Sequence, residues 1–212
     1  MDSEDQRKAK LTQPAGKDIA KIKDMEEKDM TYASEDLRTE HVAIMQGLDI
    51  LEQMVKALKK KGTLDTLDTN DMMNFLHLFA DKCHNGKEEG IMFPAMETAG
   101  ISSEKGLIGQ LLHEHTQGRQ FVANIGASVQ NGALNQAEFA EAATAYISLM
   151  RTHIKKENDV LFPTGDKTLP SKEQAQLLTQ FEIFEEEVIG EGVHERLHET
   201  LHRLEKKYLS DK

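Results

Sequence analysis

HNGKEEGIMFP (residues 84–94) and HIKKENDVLFP (residues 153–163) are two copies of one phrase: His, three residues, Glu, four residues, Phe-Pro. A spacing of four places His84 over Glu88, and His153 over Glu157, on one face of an α-helix with Cβ atoms about 5–6 Å apart. A shorter phrase precedes each copy: "TEH" ends at His41 and "HEH" ends at His115. The chain therefore reads as two related halves, each a helix with a lone His followed by a helix with His-x3-Glu.

Working outward, apolar residues recur at helical spacing around these positions. From Ser34, the expected N-cap, Leu37, Ile44, Leu48, Leu51, Val55 and Leu58 form a stripe that His41 completes and Gly62 ends. After Asp68-Thr69 the stripe is Met73, Leu76, Ala80, His84, Glu88 and Ile91, stopping at Gly100. A third helix, from about Glu104, carries Ile108, Leu111, His115, Gly118, Val122, Ile125 and Val129; a fourth, after Asn135, carries Phe139, Ala142, Tyr146, Leu149, His153, Glu157 and Val160. Short links make an antiparallel four-helix bundle the simplest assembly, so the fold class is all-α. The expected organisation is a flexible polar arm over 1–33 with a short helix near 19–30, the bundle over 34–165, and a C-terminal helical extension over 166–212 broken near Gly190 and Gly192.

Composition supports this class and excludes others. With 30% charged residues, no Trp and four Pro, the 212-residue chain reads as a soluble helical protein rather than a sandwich or barrel. A net charge of −11 repels phosphate backbones, which argues against nucleic acid as a partner. No apolar run approaches the ~20 residues of a membrane helix. The lone Cys83 rules out an internal disulfide and suits a reducing compartment, so the expected location is cytoplasmic.

Taken singly, each inward His is an ordinary core histidine satisfied by local hydrogen bonds. Taken together, four imidazoles and two in-phase carboxylates are costly to bury, on the order of 1–3 kcal/mol for each unpaired polar group and more for a charge. Metal coordination satisfies all six at once. Four nitrogens and two bridging carboxylates, from His41, His84, Glu88, His115, His153 and Glu157, suit a dinuclear site of Fe, Mn or Zn with positions left open for a small ligand.

These motifs resemble the hemerythrin-like (HHE cation-binding) family over about residues 34–163. The resemblance implies a non-haem di-iron centre in an up-down-up-down bundle, with His41 and His84 on one iron, His115 and His153 on the other, and Glu88 and Glu157 bridging. Two departures from oxygen-carrying hemerythrin point away from simple reversible O2 carriage. Leu111 stands where that protein has the first His of an HxxxH on its third helix, and His153 is followed by Glu157 and Asn158 rather than by HxxxxD. The two-HxxxE pattern is similar to hemerythrin-like sensors of iron and oxygen and to proteins that repair iron centres under nitrosative stress. The expected function is thus a di-iron protein that binds or senses O2, NO or peroxide, with slow peroxide turnover as its enzymatic side. The alternatives are an iron-handling or iron-sulfur repair protein and a metal-free helical adaptor.

Several features stand outside the six. Glu89 reads as a solvated or supporting acid, Tyr146 as a core residue, and His77 as too far along the helix to share the metal. Cys83 and the methionines read as core filler. Gly86, inside a helix, costs about 1 kcal/mol and implies either close backbone approach or a bend. His194, His198 and His202 form an i+4 stripe on the tail, read as facing the bundle or solvent, and the tail is expected to cover one side of the bundle or to mediate self-association as a homo-oligomer.

Overall fold

The protein, seen in a computed structural model, is described over residues 32–102, 106–130 and 133–210. The predicted polar arm and its short helix lie outside these residues apart from Tyr32 and Ala33, as does the predicted helix start at Glu104. Six helices are present among the described residues: α1 (Ala33–Lys61), α2 (66–98), α3 (Leu107–Ala127), α4 (136–168), α5 (Ser171–Val188) and α6 (Val193–Tyr208). A two-residue antiparallel pairing, β1 (Val129–Gln130) with β2 (Ala133–Leu134), closes the link from α3 to α4.

The helix ends follow their sequence signals. Gly62 adopts a left-handed conformation (φ 78°) and donates its N–H to Leu58 O, ending α1. Asp65 accepts from the N–H groups of Leu67 and Asp68 and starts α2, earlier than the expected start after Thr69. Asn135 caps α4. Ser34 is a correction: Tyr32 is the N-cap, and Ser34 sits in the first turn with its hydroxyl donating to Asp166.

Helices α1 to α4 pack as a bundle whose neighbours run in opposite directions. Arg38 meets residues 158 and 166 while Arg151 meets Asp49 and Glu52, so numbers rise on α1 as they fall on α4. The expected stripe of α1 is fully buried. The C-terminal helices complete two apolar clusters. Leu177 and Phe181 of α5 join Leu37, Met92, Phe93, Leu161 and Phe162, and Leu197, Leu201 and Leu204 of α6 join the cluster of Leu48, Leu51, Phe75 and Phe79. Burying a Leu or Phe contributes roughly 1.5–3 kcal/mol, so the tail is held by its own apolar face. Asp68, buried on α2, anchors α6 by accepting from Arg203, Lys207 and Tyr208.

Helices α2 and α4 depart from regular α-geometry at matched places. After a longer π-helical stretch over Phe75–Asn85, α2 widens again over Glu88–Met92, and α4 widens over Glu157–Leu161. In both, the N–H of the Phe in the repeated phrase bonds back five residues to the carbonyl of the Glu. The following residue is Pro94 or Pro163, whose ring would meet the carbonyl four residues earlier and which has no N–H to offer. A wider turn moves that carbonyl aside. It also advances the core face by one residue: Met92 and Leu161 are buried, whereas the expected Ile91 is half-buried and Val160 is 53% exposed. Such turns concentrate at functional sites, and both begin at the carboxylates singled out from sequence.

Candidate metal centre

The structure brings all six sequence-selected side chains together at the bundle axis, each no more than 2% exposed. The His41 and His84 rings lie 4.6 Å apart, as do those of His115 and His153. Each carboxylate reaches both pairs. Glu88 places Oε1 3.5 Å from His84 Nε2 and Oε2 3.3 Å from His115 Nε2. Glu157 places Oε1 3.0 Å from His153 Nε2 and Oε2 3.2 Å from His41 Nε2. Two overlapping donor sets result: His41, His84, Glu88 and Glu157 in one, Glu88, His115, His153 and Glu157 in the other, with donor atoms in each set within 4.8 Å of one another.

The donors face a common centre and, apart from a 3.0 Å contact between His115 Nε2 and His153 Nε2, make no hydrogen bonds to one another. Both oxygens of Glu88, both oxygens of Glu157, and Nε2 of His41 and of His84 are buried with no hydrogen-bond partner. Buried carboxylates left so would cost several kcal/mol each. A bound cation removes that cost, and mixed imidazole and carboxylate donors fit a transition-metal ion.

The outer nitrogens are all engaged. His41 Nδ1 lies 3.0 Å from Asn158 Oδ1, His84 Nδ1 2.7 Å from Glu40 Oε2, His115 Nδ1 2.8 Å from Glu89 Oε1, and His153 Nδ1 3.1 Å from Glu114 Oε2. An acceptor at Nδ1 keeps the proton there and turns the Nε2 lone pair inward, which orients a ring for metal binding. Lysines stand behind two of these acceptors: Lys87 donates to Glu40, and Lys156 to Glu114.

Electrostatics favour positive charge at the centre. Burial opposes a charged His115, but Glu88 and Glu89 outweigh it and raise its pKa to about 10. His41 is likewise raised, burial being overcome by Glu157 and Glu88. Burial would lift the Glu157 carboxyl, yet His153 and His41 hold it well below the ordinary carboxylate range. Glu40, buried but bonded to His84 and Lys87, is lowered to about 2.

The hemerythrin HHE cation-binding domain profile matches residues 32–164. The chain belongs to this family. Uncharacterised proteins of Mycobacterium tuberculosis and Mycobacterium bovis are each 25% identical over 164 residues, covering 76% of this chain and 64% of the relative. The chain thus spans less than two thirds of the length of these curated relatives. No solved structure matches it. Membership in a cation-binding family agrees with the donor sets: this is a metal-binding protein, and no helix among the described residues is long and apolar enough to cross a membrane.

The hemerythrin fold also accounts for the rest of the repeated phrase. Phe93 stacks on His115 (centroids 6.0 Å, 12°), and Phe162 on His41 (5.4 Å, 13°), so each Phe covers a histidine of the other half. Gly86 admits Phe184 of α5: an added Cβ would stand 2.7 Å from that ring, which makes close approach the reason for the glycine. Glu89 supports His115 and is itself held by Arg119 (2.9 Å). Tyr146 is a buried core residue, and burial pushes its pKa upward. His77 is exposed beside Asp81, and burial pushes the Cys83 thiol up to about 12, which keeps it protonated and inert. On the tail, His194 stacks on Phe79, His198 meets the edge of both, and His202 pairs with Glu205 at the surface.

Sequence reasoning missed Glu40, Glu114, Asn158, Lys87 and Lys156. The signal was present: Glu precedes each lone His, and Lys precedes each Glu of the repeated phrase.

Proposed function

We propose that the chain is a non-haem di-iron protein of the hemerythrin family that binds or senses O2, NO or peroxide in the cytoplasm. In this reading His41 and His84 hold one iron, His115 and His153 the other, and Glu88 and Glu157 bridge them. One observation carries it: each carboxylate has two orphaned, buried oxygens, one turned to each histidine pair. When bound, the iron pair supplies Lewis acidity and electrons to a small exogenous ligand.

The protein's own contribution is positioning and exclusion. Glu40, Glu89, Glu114 and Asn158 hold the imidazoles by their outer nitrogens. Phe93 and Phe162 cover His115 and His41 with apolar surface and keep water from those sides. A cavity of about 510 Å³ between α2, α3 and α4, lined by Asp81, Gly118, Arg119, Tyr146 and Met150, reaches to within one helical turn of His115 and His153 and offers a small ligand an approach.

The test is anaerobic reconstitution with Fe2+, with metal content and optical spectrum recorded before and after O2, NO and peroxide. Two irons per chain are expected in the wild type, and none held tightly in a Glu88→Ala, Glu157→Ala double variant. Fewer than two irons in the wild type, or binding indifferent to the double substitution, refutes the reading. Iron surrendered readily to a chelator would favour the iron-handling alternative.

A further inference from the structure

Two relays flank the centre, alike inside the bundle and unlike outside it. In one, Lys87 Nζ donates to Glu40 Oε1 (2.6 Å), and Glu40 Oε2 accepts from His84 Nδ1 (2.7 Å). In the other, Lys156 Nζ donates to Glu114 Oε1, and Glu114 Oε2 accepts from His153 Nδ1 (3.1 Å). The second relay is supplied wholly by α3 and α4: Glu114 takes a further hydrogen bond from Gln110 (2.9 Å), one turn away, and Lys156 is partly exposed.

The first relay continues into the C-terminal helices. Lys87 is only 2% exposed, and its Nζ also donates to Glu185 Oε2 on α5 (3.0 Å) and to the half-exposed Asp36 (3.3 Å). Glu185 is placed by its neighbours: Phe184 seats against Gly86, Phe181 faces Lys87 with its centroid 5.7 Å from Nζ, and His194 Nδ1 of α6 lies 3.3 Å from Glu185 Oε1. A buried ammonium stays where its carboxylates hold it. Glu185 draws Lys87 from one side and Glu40 from the other, so Glu40 is held with its free oxygen on His84. Loss of Glu185 would remove one of the three carboxylates that fix Lys87, and with it part of the hold on Glu40 and on the orientation of the His84 ring.

We infer that Glu185 is a positioning residue for His84: through Lys87 and Glu40 the C-terminal helices bear on metal held by His41 and His84, while among the described residues no such chain of hydrogen bonds joins them to His115 or His153. The inference rests on the six residues being ligands of two metal ions. It makes the tail a selective control on one half of the centre.

The test uses the full chain and Co2+ as a spectroscopic probe, titrated anaerobically. His153→Ala leaves the His41 and His84 pair intact, and His84→Ala leaves the other pair intact. Glu185→Ala should weaken Co2+ binding about tenfold to a hundredfold in the His153→Ala chain, and by less than about twofold in the His84→Ala chain. Glu185→Gln, which keeps an acceptor for Lys87, should restore part of the loss. If Glu185→Ala does not fold by circular dichroism, Glu185→Gln carries the comparison with the same selectivity expected. Equal loss in both chains, the mark of a merely structural role, or loss in neither, overturns the inference. Absence of Co2+ binding by the wild type would overturn the metal reading and this inference together.

Discussion

In the half built from α1 and α2, two histidine rings lie 4.6 Å apart with a glutamate oxygen beside each; in the half built from α3 and α4 the spacing is again 4.6 Å. One layer further out the halves part company. His115 Nδ1 meets the carboxylate of Glu89, where the matching His41 meets the amide of Asn158. Gly86 lies under Phe184, where the matching Lys155 points to solvent and pairs with Asp159. The inner ring repeats because two overlapping donor sets sharing two carboxylates impose the same demands on each half. The outer layer is free to differ, since each half packs against different neighbours.

Three substitutions probe that contrast. The largest effect is expected at Gly86. Gly86→Ala forces a Cβ toward the Phe184 ring and should destabilise the fold by about 1–3 kcal/mol, while Lys155→Ala, at the equivalent exposed position, should stay within about 0.5 kcal/mol. Urea unfolding of both variants checks this; equal effects would remove the distinction between halves. A smaller change is expected from Asn158→Asp, which gives His41 the carboxylate that His115 already has. In the His153→Ala chain, Co2+ affinity of the His41 and His84 pair should rise about tenfold, read by titration.

The smallest effect concerns the anchor of α6, which packs on the first half. Burial pushes the Asp68 carboxyl upward, but hydrogen bonds from Lys207, Arg203 and Tyr208 win and lower it below its ordinary 3.8. A lowered pKa means that the contribution of Asp68 is present above that ordinary value and is lost as pH falls through the folded one. The urea midpoint of the wild type should therefore exceed that of Asp68→Asn by most above pH ~5, and the gap should close as pH falls below the ordinary value.

Much of this was legible from the chain alone, for reasons that differ by residue. The α1 stripe from Leu37 to Leu58 was readable because α1 stays α-helical throughout, so one period serves all 29 residues. The six inward groups were readable because polar residues in phase with an apolar face are expensive unless they share a purpose. Ile91 and Val160 were misplaced because each lies inside a π-turn, and a rule built on 3.6 residues per turn cannot register an added residue. Glu40 and Glu114 escaped notice for another reason. Each acts on a histidine in the next helix, 44 and 39 residues away, and adjacency in sequence to His41 and His115 concealed that. The partner of Gly86 was likewise beyond reach, since Phe184 arrives from the tail.

The widened turns also bear on why the phrase occurs twice. A π-turn is what one extra residue makes of an α-helix, and both halves hold that residue in the same four-residue interval between Glu and Phe. Removing a single residue from 158–161 would rotate everything beyond it by about 100°, carrying Phe162 off His41 and Leu161 out of the core. Such an insertion is tolerated only where its surroundings were fitted to it. Two independent insertions at one point of one phrase are a poor account of that; the copying of a finished hairpin, insertion and proline included, is a better one.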